Sequence, residues 1–240
     1  AACEFIHNAS LIHDDLRDRD ESRRGFASVW KKFGEDLALC TGDLLVCAAF
    51  AVASELDDPG EAQRLTRLLA TRSSRIILGQ SIEVGGCAEH CSPGLRDYLQ
   101  ATTAKTAPLI EMSLLTGVIS TNSENAVVER VGELASAIGL AYQIIDDLDD
   151  LRDPDANAGR LHAFHASHHH RRGSRNDPAP LKRRATWHAD AAMKRARNIL
   201  DQLDELAPQA LAPLVLPLIS RLEQRNWDHF PSALRNGAIS

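Results

Sequence analysis

The sequence predicts an all-α protein. Apolar residues recur at helical spacing through most of the 240 residues. No stretch carries the period-two alternation of a half-buried strand. The Gly, Pro and Asp punctuation falls between long amphipathic segments. Such helices bury their apolar faces only against one another, so a bundle is the expected architecture. A single domain over residues 1–240 is expected at this length. A chain of this size buries roughly three quarters of its unfolded surface and needs no disulfide or metal staple.

The elements follow in order. Residues 1–18 carry Phe5, Ile6, Ala9, Leu11, Ile12 and Leu16 on an apolar face, and Asp20 to Gly25 breaks the pattern as a loop. Residues 35–56 are strongly apolar, and Asp57-Asp58-Pro59-Gly60 reads as a loop and helix start. A helix over 61–83 ends at Gly85-Gly86. Ser92-Pro93 opens the next, since proline in the first turn gives up an N–H that has no partner there. Pro108 predicts a kink just after Lys105-Thr106. A long helix over 124–151 closes at Asp153-Pro154. Residues 153–180 are polar and rich in His, Arg, Gly and Pro and read as a flexible loop. Its histidines (His162, His165, His168, His169, His170) suit a solvated segment better than a metal site. Helical pattern resumes over 181–206 and 208–227.

Composition narrows the function. Thirty-three acidic against 27 basic residues give a net charge of −6, so no overall basic field draws in nucleic acid. No apolar run of about 18 residues stands out, so no membrane span is expected. The five cysteines are an odd, scattered set whose one close pair, Cys87 and Cys91, lacks a second pair to complete a zinc site. Free thiols point to a reducing, cytoplasmic setting.

One internal similarity carries the chemistry. Ser10-Leu11-Ile12-His13-Asp14-Asp15-Leu16-Arg17-Asp18 and Gln143-Ile144-Ile145-Asp146-Asp147-Leu148-Asp149-Asp150 are both apolar helical stretches ending in Asp-Asp-x-x-Asp. On a helix, Asp14 and Asp18 share a face, as do Asp146 and Asp150. Stacked like charges destabilise a helix unless a cation compensates. Mg²⁺ takes carboxylate oxygens and leaves positions open for phosphate oxygens, so two such clusters could hold Mg²⁺ around a diphosphate and stabilise it as it leaves. A solvated acidic helix end explains one motif alone as well, but explains the pair poorly. The glycine and spaced acceptors of an EF-hand are missing, as is a P-loop. Arg23-Arg24 follows the first motif at loop distance, Lys105-Thr106 precedes the predicted kink, and Gln143 lies one turn before Asp146. Each can contribute to a diphosphate site.

These residues resemble the trans-isoprenyl diphosphate synthase (polyprenyl synthetase) family. The match runs through the first motif with Arg23-Arg24-Gly25, then Gly42-Asp43, Gly79-Gln80, Lys105-Thr106 and the second motif, to about residue 160. The resemblance implies an isoprenoid-synthase-type helical bundle around a central apolar cavity, lacking the family's N-terminal helices, and a homodimer. It implies head-to-tail condensation of an allylic diphosphate with isopentenyl diphosphate, with three Mg²⁺ ions when substrate is bound. Asp14, Asp18, Asp146 and Asp150 would ligate Mg²⁺, supported by Asp15 and Asp147. Arg23, Lys105, Thr106 and Gln143 would hold the allylic diphosphate, and Arg24 and His7 the isopentenyl diphosphate. Arg160, after Gly159, stands where the family carries a lysine and would supply a similar cation.

In the family, residues one turn before the first motif set product length. Here they are Ala9 and Ser10, both small, which favours a product beyond farnesyl, geranylgeranyl diphosphate first. Two other readings stay open. A class I terpene cyclase shares the chemistry but typically replaces the second aspartate motif. A non-catalytic partner subunit of a heteromeric synthase has no need of two carboxylate clusters.

Overall fold

The computed structural model describes residues 1–85, 95–119, 125–150, 179–206 and 211–229. They divide into two units, Ala1–Ser74 with Thr116–Asn122 and Arg75–Leu115 with Ser123–Ser240, each described by itself.

The first unit is organised around helix α1 (Ala2–Asp18), which buries Ala2, Ile6, Ala9 and Asp15. The helix stops where Arg19 takes a left-handed conformation (φ 60°), which lets the N–H of Asp20 donate to the Asp15 carbonyl at 3.0 Å. The chain then forms a small antiparallel hairpin, β1 (Ser22–Arg23) and β2 (Phe26–Ala27), turning on Arg24 and Gly25, both at positive φ. Two consecutive left-handed residues are what a two-residue hairpin needs, and glycine supplies one of them without strain. The loop expected over Asp20–Gly25 therefore contains a hairpin, whose two strands are the only ones among the described residues.

After the short α2 (Val29–Phe33), helix α3 (Glu35–Ser54) packs on α1. Its buried positions, Ala38, Gly42, Ala49 and Ala53, are all small and at helical spacing, which lets α1 approach closely. Gly42 makes room for the His13 ring: a Cβ there would lie 2.1 Å from His13 Nε2, so the ring would have to move. The expectation of no membrane-length apolar run needs correction. Helix α3 is long and apolar enough to cross a membrane, by length and composition alone. Glu35, Asp36 and Asp43 disguise it in the sequence. The core helix of a soluble protein can be as long and as apolar, though little of α3 is buried.

Helix α4 (Pro59–Gly85) begins at the predicted Asp58-Pro59 start, where Asp58 Oδ1 accepts from the Gly60 N–H at 2.7 Å. Helix α5 (Leu95–Ile119) carries Pro108 inside it as one element. In the second unit, Arg75 of α4 donates to the buried Glu111 of α5 at 3.1 Å.

Helix α6 (Asn125–Asp150) is the spine of that unit. Val131, Leu134, Ala135, Ile138, Ala141, Ile144, Ile145 and Leu148 are buried along it at three- and four-residue spacing, so the apolar stripe reaches the acidic end. Gly139 allows α5 to come close, since a Cβ there would lie 2.9 Å from the backbone of Ala107. Helices α7 (Ala179–Leu206) and α8 (Ala212–Trp227) pack on α6 and on each other. Arg197 of α7 grips Glu223 of α8 through two hydrogen bonds of 2.6 Å. The buried Asn226 donates to the Thr186 carbonyl at 3.2 Å.

Candidate functional site

The first acidic motif is built by its own neighbourhood. Because the chain reverses at Arg19 and again in the hairpin, Arg23 returns to the helix it has just left. Its Nε donates to Asp15 Oδ1 at 2.6 Å, and its Nη2 pairs with the same oxygen. Asp15 is 3% exposed, so this cation compensates a carboxylate withdrawn from water. The hydrogen bond to Asp15 raises the Arg23 pKa over the opposing effect of burial, with Asp15, Asp20 and Asp14 adding Coulombic support. Arg17 serves the other two carboxylates. It grips Asp18 bidentately at 2.8 and 2.9 Å, and its Nη1 lies 3.5 Å from Asp14. Asp14 and Asp18 are both partly accessible.

The remaining first-unit candidates fall around this motif. His13 packs over Gly42, with Nε2 3.4 Å from the Leu39 carbonyl and 3.6 Å from Asp43. The Gly42-Asp43 pair thus has a local role: the glycine makes room for the ring and the aspartate faces it. His7 lies nearly two turns further back, and its carbonyl accepts the Ser10 hydroxyl at 2.8 Å. Ala9 is buried and Ser10 half-buried. Arg24 is exposed at the hairpin turn.

The second motif draws on distant chain. Thr106 of α5 donates to Gln143 Oε1 at 3.1 Å, and Gln143 Nε2 donates to Asp147 Oδ1 at 3.0 Å. Asp147 is buried, so this relay supplies a donor it needs. Asp146 and Asp149 meet Arg225 of α8. Arg225 reaches Asp149 Oδ2 at 2.5 and 3.0 Å and Asp146 Oδ1 at 3.3 Å. His229 closes the group, with Nε2 2.7 Å from Asp149 Oδ1. Burial opposes ionisation of Asp149, but hydrogen bonds from Arg225 and His229 outweigh it and hold the carboxyl below its usual pKa. Burial likewise opposes the Arg225 cation, and Asp149, then Asp146, raise its pKa regardless.

Of the residues singled out in the sequence, the structure sets Arg23 against Asp15 and links Thr106 and Gln143 to Asp147; Arg17, Arg225 and His229, which the sequence reading did not single out, are the other partners of the two motifs. Arg17 was readable, since it stands three residues after Asp14 and beside Asp18. Arg225 and His229 left no signal near the motif. Arg160, the 153–178 part of the expected loop and the Cys87/Cys91 pair lie outside the described residues, as do the side chains of Lys105 and Asp150.

The donors are hard carboxylate oxygens, the type Mg²⁺ prefers. Among the described residues no three His, Cys, Asp or Glu side chains converge on one point. That suits an ion held by one or two carboxylates and completed by water and phosphate oxygens, and it excludes a closed protein cage within the described set.

Paired Asp-Asp-x-x-Asp helix ends on an all-helical frame, each attended by an arginine, define the class of protein. Residues 1–163 match the Polyprenyl synthetase family, and the chain belongs to it. It is 34% identical over 160 residues, 67% of this chain and 48% of the relative, to the short chain isoprenyl diphosphate synthase of Methanocaldococcus jannaschii. Its fold is similar to an FPP/GFPP synthase from Zymomonas mobilis, with a TM-score of 0.70 and 27% identity over 90% of this chain and 74% of that one. A geranyltransferase from Helicobacter pylori, complexed with magnesium and isoprenyl diphosphate, shares the fold at a TM-score of 0.76 and 22% identity, over 93% of this chain and 73% of that one. The chain spans about half the length of the curated relatives it matches.

Proposed function

We propose that the chain is a Mg²⁺-dependent prenyltransferase that condenses an allylic diphosphate with isopentenyl diphosphate head to tail, making geranylgeranyl diphosphate. The observation that carries this reading is the pair of carboxylate helix ends, each with solvent-accessible aspartate oxygens beside an arginine. Asp14, Asp18, Asp146 and Asp150 are the proposed Mg²⁺ ligands. Bound there, Mg²⁺ would neutralise the allylic diphosphate and make it a better leaving group.

The chain's own residues do the rest. Lys105, Thr106, Gln143 and Arg160 orient the allylic diphosphate, with Arg23 held close by Asp15. Arg24 and His7 receive the isopentenyl diphosphate. The allylic carbon–oxygen bond breaks and leaves an allylic cation. The isopentenyl double bond attacks it, and a proton leaves to the departing diphosphate. An apolar cavity that excludes water keeps the cation from being quenched. What supports a long product is that Ala9 and Ser10, one turn before the first motif, are both small, with the Ser10 hydroxyl turned back to the His7 carbonyl.

The proposed partner is a second copy of this chain. Leu37, Cys40, Leu44, Cys47 and Ala51 are exposed along α3 at alternating three- and four-residue spacing. That is the spacing of a helix–helix seam, and pairing two copies covers it. Sedimentation of the protein and of Leu44→Glu should show a dimer that the variant weakens. A monomeric parent protein defeats this part.

The activity is tested by incubating the protein with labelled isopentenyl diphosphate, farnesyl diphosphate and Mg²⁺ and separating the products. Twenty-carbon product is expected, and elongation that stops at fifteen carbons refutes the length assignment. Asp14→Asn and Asp146→Asn should each lower turnover by about 10²-fold or more, with the fold intact by circular dichroism. Full activity in either removes that motif from the site.

A further inference from the structure

Asp149 is an x position of Asp146-Asp147-x-x-Asp150, so the motif itself gives it no task. Yet among the described residues it is paired with both Arg225 and His229. Tyr142, Asp146 and Asp149 lie four and three residues apart, on one face of α6. The Arg225 guanidinium is set against all three. It lies 5.8 Å from the Tyr142 ring centroid, 2.5 and 3.0 Å from Asp149 Oδ2, and 3.3 Å from Asp146 Oδ1. His229, one turn beyond Arg225, takes the other Asp149 oxygen at 2.7 Å. Helix α8 is pinned where it presents these groups, by Asn226 on the Thr186 carbonyl and by Glu223 on Arg197. The guanidinium is therefore held from several sides, and its strongest contacts are to the carboxylate that is not a proposed metal ligand.

We propose that Asp149 is a positioning residue that tethers Arg225 as a resident counter-cation, holding it beside Asp146 but largely off it. The inference rests on the reading of Asp146 as a Mg²⁺ ligand. A compact cluster of carboxylates is self-repelling without metal. Arg225 relieves that repulsion in the metal-free protein. Asp149 draws most of the guanidinium's hydrogen bonding to itself, so a divalent ion competes with one long contact to Asp146 rather than with a bidentate grip. Loss of Asp149 frees Arg225 to close on Asp146 and shut the ion out. Loss of Arg225 removes the competitor.

The experiment is Mn²⁺ titration of the full chain, in place of Mg²⁺, followed by electron paramagnetic resonance of the free ion, with inorganic pyrophosphate present. Arg225→Gln should bind Mn²⁺ about threefold to tenfold more tightly than the parent, and Asp149→Asn more weakly by a similar factor. The double variant Asp149→Asn/Arg225→Gln should match Arg225→Gln within about twofold, because the tether has no function without the cation it holds. Arg225→Lys should stay near the parent value, since it keeps the charge. Circular dichroism and melting confirm that each variant folds. Equal weakening by Asp149→Asn in both backgrounds overturns the proposal, because Asp149 then acts as a plain negative charge or a ligand. Unchanged or weaker binding in Arg225→Gln overturns it too. Asp146→Asn separates the two levels: it should lose one Mn²⁺ equivalent. If it loses none, the ligand reading fails and the tether falls with it. If it loses one while Arg225→Gln does not tighten binding, only the tether fails.

Discussion

The two acidic helix ends reach charge compensation by opposite routes. At the end of α1, the cations come from the motif and its own hairpin: Arg17 sits between Asp14 and Asp18, and Arg23 is eight residues from Asp15. At the end of α6, the cation is Arg225, 76 residues beyond Asp149, and the imidazole is His229, 80 residues beyond it. Thr106 and Gln143 add a relay from another helix. The first cluster can therefore form with little more than α1 and its following turn. The second exists only once α5, α6 and α8 have packed. Local clusters tolerate distant changes, whereas assembled ones report on the packing that holds them.

The largest effect in this contrast is expected at Arg23. Asp15 is almost fully buried, and Arg23→Ala leaves its charge uncompensated, so a loss of about 2 kcal/mol is expected from chemical denaturation, below the full cost of a buried pair because Arg23 is itself partly exposed. Arg225→Ala should cost less, about 0.5–1 kcal/mol, since Asp149 is more accessible and keeps His229. Equal losses at both would erase the distinction between the local and the assembled cluster.

A paired glycine test comes next. Helical propensity alone says that Gly→Ala in a helix interior stabilises by up to about 1 kcal/mol. At Gly139 the new Cβ meets the backbone of Ala107, which cannot move without parting α5 from α6. Gly139→Ala should therefore lose about 2 kcal/mol net. It should also disturb the Thr106–Gln143–Asp147 relay one turn away. At Gly42 the obstacle is the His13 ring, the far end of a half-exposed side chain, which can swing out. Gly42→Ala should then sit within about 0.5 kcal/mol of the parent in stability. Its cost should appear in turnover, through displaced His13 beside Asp14. A large stability loss at Gly42 together with none at Gly139 would reverse the assignment of rigid and adaptable regions.

The same contrast explains what the sequence disclosed. Helices α1 and α3–α8 follow from periodicity and punctuation because those signals are local, and their ends fall within a few residues of expectation. The carboxylates were legible because i, i+4 stacking needs only helix geometry. Arg23 was picked out in the sequence as a diphosphate ligand, while the structure shows its contact with Asp15, a partner only one hairpin away. The hairpin itself was read as a loop, since two-residue strands are too short to show alternation. Arg225 and His229 were illegible. Nothing near residue 149 specifies which of several later arginines α8 will bring to it, and only tertiary packing selects one. The membrane-length character of α3 was overlooked because Asp43 interrupts the apolar run at the point where Gly42 admits His13.

The smallest expected effect is a pH dependence confined to the assembled region. His188 lies on α7, and its pKa is lowered below 6.5 by burial and then by the nearby Arg184 cation. Its folded value lies below its unfolded one, so the unfolded chain binds more protons between the two. Stability is therefore fully present above pH 6.5 and falls as the pH drops from there through the folded value. His188→Gln should flatten this slope. The change should stay below about 0.5 kcal/mol, because the ring is only half-buried and solvent screens the charge. Hydrogen exchange sets where it acts. Amides of α6 and α7 should lose less protection in the variant than in the parent between pH 7.5 and 5.5 (after correction for intrinsic exchange), while α1 should be unaffected. An equal response in α1 would mean that protonation at His188 is felt by the whole chain, and the autonomy of the first acidic cluster would not stand.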